Sequence, residues 1–187
     1  GRAAARHALE LAADRRLIGY LGRADERLSV EDLRTLLELD ERAVLLFVGE
    51  VSPEGRDIFQ RLDAERVLPL GPVRPERAAE LVAGSDLLIF PFRREPHLEA
   101  VRGLKLYEYL ATGLPVLATF RRTLKVFRDE IYLYATREEL EEGYRAAVAE
   151  PPDAPARARR IEIARAADWH RRIAELVAFL EPLARLR

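Results

Sequence analysis

The run AVLLFVG at 43–49 is apolar at every position up to its closing glycine. A strand with one wet face would alternate polar and apolar residues, so this one needs cover on both faces. Such strands belong to parallel sheets with helices on either side. The same kind of run recurs as RLIGYLG at 16–22, DLLIFPF at 86–92 and LPVLA at 114–118, with a short IYLYA at 131–135. RVLPLG at 66–71 is a weaker strand, because Pro69 interrupts it.

Helical patterns fill the intervals. Residues 29–40 predict a helix with Ser29 as its N-cap and Asp32 in the first turn. Residues 53–62 follow with Pro53 near the start, and 75–84 with Gly84 at the close. A helix over 103–113 ends at Gly113 and Pro115. From about 136 onward the chain reads as helical, broken by PPDAP at 151–155. Strand and helix alternating in this way predict an α/β fold with a doubly wound, Rossmann-like parallel sheet. The expected organisation is a linking helix at 1–15, the sheet domain at 16–150 and closing helices at 151–187.

Composition removes several function classes. The 31 basic and 32 acidic residues nearly cancel, which disfavours a nucleic-acid partner. There is no cysteine, and His7, His97 and His170 lack metal-ligand spacing, so a thiol or zinc enzyme is not expected. No apolar run approaches the ~20 residues that a bilayer crossing needs. A chain that lacks methionine and begins at Gly1 is expected to be a piece of a longer one.

In doubly wound sheets, ligands bind at the carboxyl ends of the strands. The turns there are Gly22-Arg23, Gly49-Glu50, Gly71-Pro72 and Phe92-Arg93-Arg94, and three of the four carry glycine. Glycine lets a backbone approach a ligand, but it also simply relieves a tight turn; both readings stand. Arg93 and Arg94 are expected to face the same crevice as the other turns, or to be solvated arginines.

In the helix at 103–113, Leu106, Tyr109 and Leu110 share the face that packs on the sheet. Lys105, Glu108 and Thr112 lie on roughly the opposite side. The helix start at 102–104 suits a phosphate, with Gly103 permitting close approach and Glu108 one turn inside to accept ribose hydroxyls. The alternative is a plain i,i+3 surface pair between Lys105 and Glu108, worth a few tenths of a kcal/mol.

The stretch DLLIFPFRREPHLEAVRGLKLYEYLATGLPVLAT resembles the nucleotide-sugar-binding half of GT-B-fold glycosyltransferases, particularly the retaining enzymes of family 4. Those enzymes carry two glutamates separated by seven residues, then a glycine and P-V-V/I-A. Glu108 takes the second glutamate's place, and ATGLPVLA matches the ending. A subgroup with PFR…AVNPLKLYEYLA is similar at Pro91, Phe92, Arg93, Ala100, Val101, Leu104 and Lys105. The likeness extends upstream through IGYLGRADERL, LLFVGEV and VLPLGPVRPERAAELVAGS, and downstream through the Trp-bearing RARRIEIARAADWHRRIAELVAFL. The departures are specific. The first glutamate falls at Ala100, with Glu99 one place off; Arg102-Gly103 stands for Asn-Pro; and Arg27 lies one position early.

The resemblance implies the C-terminal half of a GT-B fold that binds a nucleotide-diphospho-sugar donor, UDP- or GDP-linked. The enzyme would be a retaining glycosyltransferase of polysaccharide biosynthesis, moving a sugar to a glycan, lipid or other envelope acceptor. Arg23, Arg27 and Lys105 would stabilise charge on the leaving phosphate, with Arg93 nearby and Gly22, Arg102, Gly103 and Leu104 cradling the diphosphate. Gly71 and Val73 would meet the base, and Glu108 the ribose. No D-x-D triplet occurs, so no essential metal and no tightly bound cofactor are expected. The acceptor site would come from a missing N-terminal domain. The full-length enzyme would be cytoplasmic, with a peripheral contact at the inner face of the membrane. Two alternatives remain: a non-catalytic binding or scaffolding module of the same fold, and half of a sugar-nucleotide epimerase relying on His97.

Overall fold

In a computed structural model of the chain, the apolar runs pair as six parallel strands. The structure describes residues 2–98, 104–168, 173 and 177–179. The strands are β1 (Arg16–Leu21), β2 (Ala43–Val48), β3 (Val67–Pro69), β4 (Leu87–Phe90), β5 (Val116–Thr119) and β6 (Tyr132–Tyr134). Their order across the sheet is β3-β2-β1-β4-β5-β6. All five pairings are parallel. The predicted doubly wound α/β architecture is therefore observed. The order reverses at β1, which pairs with β2 on one side and β4 on the other. A crevice opens at such a reversal, outside the carboxyl ends of the strands.

The helices are α1 (Arg2–Ala8), α2 (Val30–Leu39), α3 (Pro53–Gln60), α4 (Pro75–Ala83), α5 (Leu104–Thr112), α6 (Arg137–Ala149) and α7 (Pro155–Ala166). The connections place α2 on one face of the sheet, where it meets α6, and α4 and α5 on the other, where they meet α1 and α7. With both faces covered, every residue of β2 is buried.

Local chemistry explains most element ends. Ser29 caps α2 by accepting from the Asp32 N–H at 3.2 Å. Ser52, unnoticed in the sequence, does the same for α3 through Gly55 N–H at 3.1 Å. The strand around Pro69 is shorter than its apolar run. It forms the sheet edge, where a residue lacking an N–H is tolerated, and Leu70 N–H resumes the bonding to Phe47 O at 2.9 Å. Residues Arg122–Phe127 form 3-10 turns that no apolar period announced.

The amino ends of the strands are closed by polar groups, from half-buried Asp86 and Asp40 to buried Arg160. Asp86 accepts from Leu17 N–H at 2.7 Å and from Arg6 at 3.2 Å. Asp40 takes Arg16 at 2.7 Å and the Tyr144 hydroxyl at 3.0 Å. Arg160, on α7, is 1% exposed. It donates to both oxygens of Glu150 at 2.6 Å, to Glu130 O at 2.6 Å and to Gly113 O at 3.1 Å. That last bond caps the carboxyl end of α5, where a cation also suits the helix dipole.

Candidate functional site

A cavity of about 830 Å³ lies at the carboxyl ends of β1 and β2, between α4 and α5. That volume is within the range of small-molecule pockets, roughly 300–1,000 Å³. One wall is apolar: Val48, Pro72, Val73 and Pro75, continued by Ala78, Ala79, Val82 and Ala83 of α4. The facing wall is polar, with Gly22, Arg23 and Glu50 from the strand turns and Lys105, Glu108 and Thr112 from α5. An apolar surface beside two cations and two carboxylates suits a ring carrying hydroxyls and phosphate.

Of the residues singled out in the sequence, Gly22, Arg23, Val73, Lys105 and Glu108 are brought together here. Lys105 and Glu108 do form the i,i+3 pair, at 3.2 Å, and both are roughly half exposed. The surface-pair and ligand readings therefore describe one geometry. The pair faces the cavity, and its members are free to exchange partners.

The turn glycines separate into two kinds. Gly49 has φ +141°, and a Cβ there would lie 2.1 Å from Gly22 O, so this glycine lets one turn pack on its neighbour. Gly71 has φ +67° and open space where a Cβ would point, so it serves its left-handed backbone. Its carbonyl accepts from Gly49 N–H at 2.9 Å.

Arg27 is turned to a different task. It chelates Asp25, with Nε to Oδ1 at 2.8 Å and Nη2 to Oδ2 at 2.7 Å, and its guanidinium lies 5.5 Å from the Phe92 ring centre. Asp25 is 5% exposed. Burial opposes its ionisation, but hydrogen bonds from the Arg27 side chain and backbone, with the Arg23 charge, outweigh that and hold the carboxyl below its usual range. The loop carrying these residues is fastened on both sides. Ser29 N–H donates to Pro91 O at 2.8 Å and Arg93 N–H to Arg27 O at 2.7 Å, while Ala24 N–H donates to Glu50 O at 2.8 Å.

Arg93 and Arg94, expected in one crevice, part company. Arg93 pairs with Glu95 at 2.5 Å. Arg94 reaches the buried Asp32 at 3.2 Å and lies over the Tyr134 ring. Each finds a carboxylate on its own side, and neither lines the cavity. Leu104 is 64% exposed and lines a separate groove between α5 and α7. His97 is exposed, with Nδ1 at 3.4 Å from Glu95. Arg102 and Gly103 lie outside the described residues, as do Glu99, Ala100 and Trp169.

Two contributors were not read from the sequence. Tyr109, expected only to pack, is fully buried, and its hydroxyl accepts from Leu21 N–H at 2.7 Å. It thereby ties the helix of Glu108 to the strand that ends in Gly22-Arg23. Burial pushes its phenol well above the usual range, so it stays a neutral hydrogen-bonding group. Glu50 appeared in the sequence only as the neighbour of a turn glycine, yet its side chain lines the cavity.

Comparison with known proteins agrees with this geometry. Residues 15–162 match the family described as "Glycosyl transferases group 1". TuaH of Bacillus subtilis (strain 168), by name a teichuronic acid biosynthesis glycosyltransferase, is 28% identical over 120 residues, covering 63% of this chain and 30% of TuaH. Among solved structures, WaaG, a glycosyltransferase involved in lipopolysaccharide biosynthesis, superposes with a TM-score of 0.64 at 24% identity over 88% of this chain and 45% of its own. Anabaena HepE in complex with UDP gives 0.73 at 20% identity over 96% of this chain and 52% of its own. The chain thus spans about half the length of these structures and less than a third of TuaH.

Proposed function

The chain belongs to the group 1 glycosyltransferases, and from that premise we propose that its cavity holds the nucleotide-diphosphate part of a sugar donor. The observation that carries this reading is the two-sided cavity. Its apolar wall from Pro72 to Ala83 is a slot for a base, and its polar wall sets Glu108 against ribose hydroxyls and Arg23 and Lys105 against phosphates. Cleaving a sugar–phosphate bond builds negative charge on the departing diphosphate. Two cations in the cavity lining, Arg23 and Lys105, are placed to stabilise that charge once they exchange their carboxylate neighbours for it. Arg27, chelated by Asp25, braces the loop that presents Arg23.

The finer reading is a retaining transferase acting on an envelope glycan or lipid acceptor. The motif ending at Gly113-Leu-Pro115 and the biosynthetic roles in the names of TuaH and WaaG support it. UDP is the first donor base to try, since HepE is described with UDP bound. Acceptor binding and turnover fall to a second half of the enzyme, in keeping with the share of its relatives that this chain spans. Transfer requires both reactants held in one closed cleft.

The test is calorimetric titration of the chain with UDP, GDP and ADP, with and without magnesium, alongside Glu108→Ala. One nucleotide should bind without metal, and the substitution should weaken it by about tenfold or more, the loss of hydrogen bonds to a charged acceptor. Equal affinities for Glu108→Ala and the parent chain would remove Glu108 from the site.

A further inference from the structure

We propose that Glu50 is a resident competitor for Arg23, one that keeps the site from holding a free nucleoside diphosphate too tightly. The inference rests on the reading of the cavity as a donor site and adds to it a residue that sets which phosphate species is favoured.

Arg23 is poised between two carboxylates without being captured by either. Its Nε is 3.9 Å from Asp25 and its Nη2 is 4.0 Å from Glu50, both beyond hydrogen-bond distance. Arg27 already donates to both oxygens of Asp25 and neutralises most of its pull on Arg23. Glu50 is 64% exposed at its side chain and lies beside Arg23 in the cavity lining. On the same polar wall, α5 repeats the arrangement more tightly, with Lys105 on Glu108 at 3.2 Å. The cavity lining therefore carries two cations and two carboxylates, a balanced set. An incoming phosphate must take its cations from acids that stay beside it.

Glu50 cannot retreat by movement of its turn. Its carbonyl accepts from Ala24 N–H at 2.8 Å, and the preceding Gly49 N–H donates to Gly71 O at 2.9 Å. The turn thus stays beside the cavity and keeps the Glu50 side chain within reach of Arg23. A donor's diphosphate is esterified once at each phosphate, to the nucleoside and to the sugar, whereas the product of transfer ends in a free phosphate with an additional ionisation near neutral pH. A fixed negative charge nearby disfavours the more highly charged product over the donor. Glu108 accepts from the nucleoside; Glu50 weighs the phosphate.

Inorganic pyrophosphate is the decisive probe, because it is indifferent to the base. Its affinity for the chain and for Glu50→Gln is measured by NMR titration at low and high salt, with uridine and UDP in parallel and melting temperature as a control for folding. Glu50→Gln should bind pyrophosphate and UDP about threefold more tightly, the size of one exposed ion pair released. Uridine affinity and the melting temperature should not change. The gain should fade at high salt, where exposed charges are screened. Unchanged pyrophosphate affinity, or pyrophosphate bound by neither chain, overturns the inference. So does a loss of both uridine and UDP in Glu50→Gln, which would make Glu50 a hydroxyl acceptor. Glu108→Ala keeps the two readings apart: if it leaves uridine and UDP binding untouched, the donor-site reading fails, whatever pyrophosphate does with Glu50.

Discussion

The two ends of the one sheet use the same residue types in opposite ways. At the carboxyl ends, Arg23 is 54% exposed at its side chain and sits 3.9–4.0 Å from its carboxylates. At the amino ends, Arg160 is 1% exposed and binds Glu150 through two contacts of 2.6 Å, with two backbone carbonyls besides. Both are arginines beside carboxylates, but desolvation differs. A buried pair must be saturated with hydrogen bonds, because each unmet donor is costly there. An exposed pair is worth little and can be exchanged for a ligand. Arg23, in the lining of the proposed donor cavity, is loosely held, while Arg160, surrounded by protein, is locked.

Breaking the locked end gives the largest effect. Arg160→Ala leaves Glu150 buried and unpaired and should cost about 3–5 kcal/mol in urea unfolding. Nucleotide affinity of the folded fraction should hold within about twofold; a larger drop would show that the cap on Gly113 O reaches through α5 to the cavity.

Acid provides the next test. Burial opposes ionisation of Asp40, but its bonds from Arg16, the Arg42 backbone and Tyr144 outweigh that, taking its pKa from the ordinary 3.8 to about 2. A depressed carboxyl contributes stability above the unfolded-state value and loses it as pH falls through the folded one. The contribution, of order 2 kcal/mol, should therefore disappear between about pH 4 and pH 2. Urea unfolding across that range, compared with Asp40→Asn, should show a flatter acid limb in the variant. The smallest change sharpens the contrast where the two ends connect. Tyr109→Phe strips Leu21 N–H of its acceptor and should cost about 1 kcal/mol in stability. It should also weaken nucleotide binding, whereas Tyr134→Phe, remote from the cavity, should not.

What the sequence disclosed follows from which forces act locally. Strands buried on both faces leave continuous apolar runs, so the sheet was legible from AVLLFVG and its counterparts. Ser29 as a cap and Lys105, Glu108 and Thr112 on one helix side depend on spacings of a few residues, and they were legible too. The missed features depend on pairs far apart in the chain. Nothing near Tyr109 marks its hydroxyl for Leu21, and Arg160 stands in a helix rich in arginine and alanine, where it reads as solvated. The separation of Arg93 from Arg94 is set by Glu95 on one side and Asp32 on the other, and only the folded chain supplies the second. Arg27 was assigned to phosphate by resemblance, but Asp25, two residues earlier, chelates it.

The place of β1 in the sheet also has a consequence in time. Its partner on one side, β2, follows closely, but on the other it must wait for Leu87–Phe90. At roughly 5–20 residues per second of synthesis, several seconds pass with that strand edge unpaired. Pairings this distant in sequence are intrinsically slow to form. A nascent chain halted before β4 would present an apolar edge ready to join a neighbour's, so the step most exposed to misassembly precedes any formation of the cavity.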